Sequence, residues 1–588
     1  MVQKKLPLIN SAHGSETRNI INEVINAIND RGLEILSESS FLTWLDKNNL
    51  NIQSEVQSVS DLPADDALNT IRGVLDDNKL YIKRDFGWVA YQTIDLNKIN
   101  KVERRVDRIE VNVMDFGAVG DGITDDTEAI KLASAAAERK VLKFPKTTKE
   151  YLISDEIWLK ECKVISDGAT IKQTATGKNG LRGRDLGSIS IDDLKVVGLG
   201  AKDGSESNEF NILLERCNNV SITKLEVDET RGQASIRLVD CHTGAIERNK
   251  INKFTYAAIQ IIGDCQNITV RDNDIRHSLA RSANGGGSYG VHISALASST
   301  NYPKNISVIN NNVEDIKAWD AFNVHGGENI YIIDNTAKDV RIGIDASLHY
   351  YDASSILKNL IVRGNILSGT SASVNGNTAS GIMVHGHENA IAENVIIDGN
   401  IVDGFNKHGG GESTSQMGGI RAGKINGLKV YNNTTNKNKC YGIRLTDSVK
   451  NFEIYSNEVK DSENRCIYLG FGNIEFGKVH DNNITQTGDP SYPSVAGISC
   501  GSPGSHEVYE YSNTSNGVKK YQDNTTAQGL FKQEFMDQNP ANFGNKNVNW
   551  NIGETVKNAN PVSGSYSGWI CLEAGIPGVW KGYGLIQN

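Results

Sequence analysis

From Gly244 to Ile484 one short phrase recurs: an apolar residue, two others, Asn, one more, and usually a second apolar residue. It reads Ile246-Glu-Arg-Asn249-Lys-Ile251, then Val270-Arg-Asp-Asn273-Asp-Ile275. It returns at Asn311, Asn335, Asn365, Asn400, Asn433, Asn457 and Asn482. Successive Asn residues lie 24, 38, 24, 30, 35, 33, 24 and 25 apart. A minimum near 24 with longer gaps marks stacked repeats that carry insertions. No single unit can bury its own apolar face, so neighbours must stack.

A second phrase sets the register of another strand. A small residue precedes an apolar pair in Ala258-Ile-Gln-Ile261, Gly290-Val-His-Ile293, Ala321-Phe-Asn-Val324, Gly343-Ile-Asp-Ala346, Gly381-Ile-Met-Val384, Gly419-Ile-Arg-Ala422 and Gly442-Ile-Arg-Leu445. Alternation sends the apolar pair inward and the residue between them outward. The Asn residues read as structural, because a buried amide must be satisfied and stacked Asn residues can satisfy one another.

Residues 1–110 follow other patterns. Glu16 to Asn29 carries Ile20, Val24, Ala27 and Ile28 at helical spacing, and a second short helix is predicted from Pro63 to Leu75. Lys79–Ile94 alternates around Phe86-Gly87 and predicts a hairpin. Asp95–Glu110 places Ile99, Val102, Val106 and Ile109 on one seam, which fits a coiled-coil neck of trimeric type or an amphipathic helix packed on its own domain. Then comes Asp115-Phe-Gly-Ala-Val-Gly-Asp121-Gly-Ile-Thr-Asp125-Asp-Thr-Glu128. Its glycines mark tight turns. Asp125 and Glu128 form a capping-box pattern for a helix reaching about Arg139. No Gly-Lys-Ser/Thr follows, which excludes a P-loop.

The stretch 113–130 resembles the opening signature of the pectate-lyase-like right-handed β-helix proteins, in the form common in tailspikes of bacterial viruses. The resemblance implies an all-β chain built as a three-faced parallel β-helix. It also implies a homotrimer and degradation of a bacterial surface polysaccharide. Residues 1–94 then stand where such proteins attach to the phage tail or baseplate, residues 95–112 form the neck, and 113–505 the β-helix. Residues 506–588 form a β-rich C-terminal cap, a trimerisation element or a carbohydrate-binding region. The cap reading comes from the need to cover a solenoid's open end. The carbohydrate reading comes from Trp569, Trp580 and Tyr583.

Composition narrows the partners. The chain has 588 residues, 61 basic and 71 acidic, for a net charge of −10. No basic stripe stands out, so nucleic acid is not an expected partner. No run of about 18 apolar residues predicts a membrane span. Met1-Val-Gln-Lys-Lys-Leu lacks a secretory apolar stretch. With this, the resemblance implies a virion component made in the bacterial cytoplasm. Cys217, Cys241 and Cys265 repeat at the 24-residue period, which predicts stacked buried thiols rather than disulfides. No Cys/His cluster points to zinc; no cofactor and no essential metal are expected.

The outward column reads Arg237, Gln260, His292, Asn323, Asp345, Met383, Arg421, Arg444 and Tyr468. Two residues on, it reads Val239, Ile262, Ser294, His325, Ser347, His385, Gly423, Thr446 and Gly470. With rungs about 4.8 Å apart these form one face. His292, Asn323, His325, Asp345, His385 and Arg421 concentrate at its middle. The alternative is a plain solvated surface. Insertions at 276–289, 346–358, 368–380 and 403–418 border the same rungs and bring Arg276, His277, Arg281, Tyr350, Tyr351, Asp352, His408 and Glu412. Tyr350 and Tyr351 suit stacking on sugar rings, or packing within their own loop.

Glycoside hydrolysis needs two carboxyl groups, roughly 5 Å apart for retention and roughly 6.5–9.5 Å for inversion. The column neighbours of Asp345 are not acids, so the partner must come from a strand edge or an insertion. Asp320 is the first choice, followed by Glu388, Asp352 and Glu412. The competing chemistry is β-elimination from a uronic-acid glycan, with Arg421 or Arg444 as the cation and His325 or His385 as the base. A non-catalytic glycan adhesin is the third reading. Gly286-Gly-Ser288-Tyr-Gly290 matches the hydrolase elbow Gly-x-Ser-x-Gly, but lacks the strand-to-helix context.

Overall fold

The computed structural model describes the chain outside residues 1–50, 53–59, 61, 65–69, 75–78, 85–86, 94–109, 201–208, 280–287, 296–300, 349–355, 371–378, 388–389, 406–417, 471, 492–495, 501–505, 519–531, 534, 537–538, 544–548, 559 and 588. Two units divide it, Met1–Glu110 and Val111–Asn588. In the first, Lys79–Arg84 pairs antiparallel with Gly87–Thr93 as the predicted hairpin. The helix predicted from Pro63 to Leu75 is corrected: Thr70–Val74 is a strand paired with Lys79–Arg84. Its Thr-Ile-Arg-Gly-Val sequence, with β-branched Thr70, Ile71 and Val74, favours a strand over a helix. The helices expected at 16–29 and along the neck fall outside the described residues. Glu110 itself begins a strand, Glu110–Asn112.

The second unit is a coil of parallel strands. One rung reads Ala234–Val239, His242–Glu247 and Lys250–Phe254, and the next begins at Ala257–Ile262. The third strand of each rung joins a sheet of 14 strands, and the other two join one of 27. Inward positions of the first strand stack in register as Ile236, Ile259, Val291, Phe322, Ile344, Ile382, Ile420, Ile443, Ile467 and Ile498. All are buried, and with their counterparts on the other faces they form one continuous core. Rungs continue to Thr514–Asn516, past the limit of 505 expected from the sequence.

The Asn phrase occupies the turn between the second and third strands. Asn249 Nδ2 donates to Asn273 Oδ1 at 2.8 Å, and the Asn249 backbone N–H donates to the same oxygen at 3.0 Å. The second amide proton goes to Ile222 O at 3.1 Å. The pattern repeats rung by rung to Asn482 and one rung further, to Asn513. Cys217, Cys241 and Cys265 are buried thiols. The backbone N–H of Cys217 donates to Cys241 Sγ at 3.4 Å, and that of Cys241 to Cys265 Sγ at 3.3 Å.

The expected capping box is corrected. The helix is Thr127–Ala136 with Asp126 at its N-cap, and Glu128 pairs with Lys131 at 3.0 Å rather than folding back. The Asp126 carboxylate turns away and accepts from Val119 N at 2.6 Å and Gly120 N at 3.1 Å. The signature loop is therefore a structural closure at the start of the coil. At the other end, Met536, Trp550, Val556, Trp569, Cys571 and Trp580 pack together beside the strands Tyr566–Glu573 and Val579–Leu585. Trp569 and Trp580 are 8% and 9% exposed, so they serve that core. Among the described residues no helix is long and apolar enough to cross a membrane.

Asn365→Ala removes the acceptor of both the Asn335 backbone N–H and Asn335 Nδ2, and the donor to Ile332 O. The expected cost is roughly 2–5 kcal/mol, because buried donors are left unsatisfied. Thermal unfolding and loss of hydrogen-exchange protection at Asn335 measure it. Asn394→Ala, in an exposed row where Asn394 Nδ2 donates to Asn359 Oδ1 at 3.1 Å, costs less than about 1 kcal/mol.

Candidate functional site

The predicted column forms. Arg237, Gln260, His292, Asn323, Asp345, Met383, Arg421, Arg444 and Tyr468 pair in register across nine rungs. In the second column Ser294 pairs with His325, and Ser347, His385, Gly423 and Thr446 follow one another. What the sequence did not foresee is burial. Gln260, His292, Asn323, Asp345 and Arg444 are all buried although they face away from the core.

Asp320 explains part of this. It opens the strand Asp320–His325 and pairs with Ile342. Its Oδ2 accepts from Asn323 Nδ2 at 2.7 Å, and Asn323 stands beside Asp345 on the next rung. One amide thus lies between the two carboxyl groups. Asp320 is 0% exposed and Asp345 8%. Burial drives the Asp320 pKa well above the carboxylate range, and the nearby charge of Asp345 adds to it; Arg341 and the Asn323 amide oppose without cancelling the effect. Asp345 is raised too, chiefly by burial, against the Ser347 hydroxyl, which donates to its Oδ1, and the charges of Arg421 and Arg341. Two interacting acids in one dry site share their protons unequally. Asp320 has fewer groups that favour its charged form and is pushed up further, whereas Asp345 has the Ser347 hydroxyl and two guanidinium groups that favour its charged form.

Around this pair several buried polar atoms lack a hydrogen-bond partner among the described residues. They are Gln260 Oε1, Trp319 Nε1, Asp320 Oδ1, Asn323 Oδ1 and Arg421 Nε. Orphaned polar atoms are costly, and five of them gather around this pair. Aromatic rings line its N-terminal side. Tyr289 lies 4.6 Å from His292 and 6.5 Å from Trp319, and His292 lies 5.2 Å from His325.

His385 has both ring nitrogens engaged. Nδ1 lies 2.5 Å from Gly386 O and Nε2 lies 2.7 Å from Asp447 Oδ2. Burial lowers its pKa, Asp447 raises it and Arg421 lowers it. Arg444 sits over the rings of Tyr441 at 4.8 Å and Tyr468 at 5.7 Å. Tyr350, Tyr351, Asp352, Glu388 and Glu412 lie outside the described residues. Ser288 of the elbow pattern is fully buried against Ser278 Oγ, so it presents no nucleophile.

Sequence reading missed Arg341, Trp319, Tyr289 and Asp447. Arg341 donates to Ala318 O and lies 5.0 Å from the Trp319 ring. Tyr289 and Asp320 occupy equivalent positions at the starts of successive strands, three residues before the outward column. Reading that edge as a third column would have found Tyr289. Asp447 stands one residue beyond the second column and turns back only because its backbone is left-handed, φ 63°.

Residues 110–345 match the family described as Rhamnogalacturonase A/epimerase, pectate lyase-like. That span is similar to the pectate-lyase-like family over well under half of the chain, and the parallel coil runs on beyond it. No curated protein matches the sequence. Similar solved structures include PfbA, a surface adhesin of Streptococcus pneumoniae, at 14% identity over 82% of this chain and 100% of that one, TM-score 0.42. Tailspike protein 3 of bacteriophage CBA120 is 13% identical over 92% of this chain and 87% of its own, TM-score 0.43. The GH87 α-1,3-glucanase of Streptomyces thermodiastaticus is 16% identical over 70% and 69%, TM-score 0.42. Likeness of this degree does not bear on activity.

The raised Asp320 pKa makes a stability prediction. Where the folded pKa exceeds the unfolded one, the folded state binds the proton more tightly, and stability falls as pH rises from the unfolded value near 4 through the folded value. Asp320→Asn keeps an acceptor for Asn323 and removes this penalty. The variant is expected to melt higher than the parent at pH 8, with the difference closing as pH falls toward 4. Equal differences at both pH values would show that Asp320 is not held protonated.

Proposed function

We propose that this protein is a tailspike depolymerase that hydrolyses glycosidic bonds in a bacterial surface polysaccharide. The observation that carries the reading is the pair Asp320 and Asp345, two buried carboxyl groups with environments that push their protonation apart. Such a split is what acid and base roles require. Asp320, kept neutral by burial, donates a proton to the departing glycosidic oxygen. Asp345, charged and held by Ser347, serves as base or nucleophile on the other side of the scissile bond. Asn323 fixes the orientation of Asp320, and Arg341 and Arg421 stabilise the charge on Asp345.

The description of the matching family supports action on a polysaccharide. The viral setting rests on the resemblance of residues 113–130 and on the separate unit at 1–110, which would attach the spike to the phage tail. A homotrimer belongs to the same reading. Hydrolysis is favoured over β-elimination because His385 is tied at both nitrogens, whereas an abstracting base needs an available lone pair. Substrate contacts are assigned to His292, Asn323, Arg421 and Arg444, and His325 lies beside His292 at the rim.

Asp345→Asn and Asp320→Asn are each expected to lower depolymerisation by about 10²–10⁴-fold with the fold intact. Products of the parent enzyme should carry new reducing ends and no ultraviolet-absorbing unsaturation. Full activity in both folded variants would place the chemistry elsewhere. Unsaturated products would assign elimination, and binding without any product would assign an adhesin.

A further inference from the structure

A second face of the coil carries a feature that the site above does not use. One equivalent position, the second or third residue of most of its strands, is left-handed on rung after rung. It is occupied by Asn219, Thr243, Asn267, Asn305, Asn329, Asn359, Asn394, Gly427, Asn451 and Phe476. Asn and Gly suit this conformation. Asn267, Asn305, Asn329, Asn359 and Asn394 also form a hydrogen-bonded row. Phe476 breaks the pattern. It holds φ at 55° and leaves its ring 50% exposed. A bulky side chain there is strained, and a half-exposed aromatic recovers only part of what full burial would give. Neither local conformation nor burial accounts for the residue.

The ring walls a cleft of ≈410 Å³, within the size range of small-ligand sites (about 300–1,000 Å³). The floor is the outward column Lys429, Glu453, Lys478 and Tyr509, in register on successive rungs. Asn451 lines the same cleft. Gly477 makes room for the buried Phe452 ring, from which a Cβ there would stand 2.0 Å away. The next outward column is a stack of Tyr431, Tyr455, His480 and Tyr511 with ring planes within 7° of parallel, which stiffens the floor.

We infer that this cleft is a second, non-catalytic binding site for the same polysaccharide, with Phe476 as the stacking platform for one sugar ring. The inference rests on the glycan reading above. A sugar ring has an apolar face and a rim of hydroxyl groups that both donate and accept. The cleft offers the matching set: an aromatic wall, ammonium donors at Lys429 and Lys478, a carboxylate acceptor at Glu453, and amide and phenol groups at Asn451 and Tyr509. Donors and acceptors alternate along the floor at the rung spacing of about 4.8 Å, so successive groups of an extended chain meet successive rungs.

The test uses the full-length protein carrying Asp345→Asn, so that polymer is bound and not consumed. Electrophoretic retardation is measured in gels containing each of a panel of purified bacterial capsular polysaccharides, with dextran as the control. Adding Phe476→Asn restores the residue favoured by the backbone, so the melting temperature should hold or rise. Retardation by the recognised polysaccharide should weaken about tenfold, the worth of roughly 1.4 kcal/mol. Phe476→Tyr, which keeps the platform, should retain it. Unchanged retardation with Phe476→Asn overturns the inference. So does a smaller particle by light scattering, which would give the ring to a second copy of the chain. No retardation by any capsule overturns this site and the glycan reading together. If the unmutated protein is retarded without releasing products, and Phe476→Asn still weakens it, hydrolysis fails while the cleft stands.

Discussion

Everything on the outer faces depends on the amide row inside. Each Asn side chain from Asn273 to Asn482 accepts two hydrogen bonds at Oδ1 and uses both Nδ2 protons. A primary amide can do no more. Because the oxygen serves the rung before it, the side chain measures rung height, and a one-residue slip would leave several buried groups unpaired. Register on the outer columns is inherited from this row. Asn323 and Asp345 are neighbours because Asn335 and Asn365 hold their turns in step.

That rigidity allows a costly arrangement to persist. Asp320 and Asp345 are both buried, burial raises both pKa values, and the charge of Asp345 raises that of Asp320 further. A softer frame would relax by exposing one of them to water. Here the strands on either side are locked into parallel pairing, with Phe322 and Ile344 filling the core beneath. The strain is held by the scaffold and expressed as protonation. The remaining counter-charges, Arg341 and Arg421, come from a turn and from a rung two further along, so the site spans several repeats without using the repeat phrase itself.

The coil was legible from spacing alone, since a buried apolar pair and an amide turn impose a period that insertions interrupt but do not erase. The outward columns followed from the same period. Asp320 could be reached as a strand-edge acid. Its contact with Asn323, three residues along the strand, was not legible, because alternation places positions 320 and 323 on opposite faces and only the bend at the strand's start brings them together. Arg341 was invisible for the same reason, lying in a turn outside the alternation. The helix expected at Pro63–Leu75 failed where β-branched residues found a strand partner, a contact that local spacing cannot report.

The amide row also has a direction. One Nδ2 proton and the backbone N–H of each member of the series point toward the C-terminal rung, and every Oδ1 toward the N-terminal one, while the second Nδ2 proton turns back to a backbone carbonyl. The dipoles add head to tail, as peptide dipoles do in a helix. The donor end therefore carries partial positive charge at Asn513, and there the chain supplies an anion: Asn513 Nδ2 donates to Glu510 Oε1 at 2.7 Å, with Glu510 buried. The acceptor end is closed by a plain backbone N–H, from Leu225 to Asn249 Oδ1 at 2.9 Å. The solenoid thus behaves electrically as one long polar column, neutralised at its positive pole by a carboxylate placed where the last rung runs out of partners.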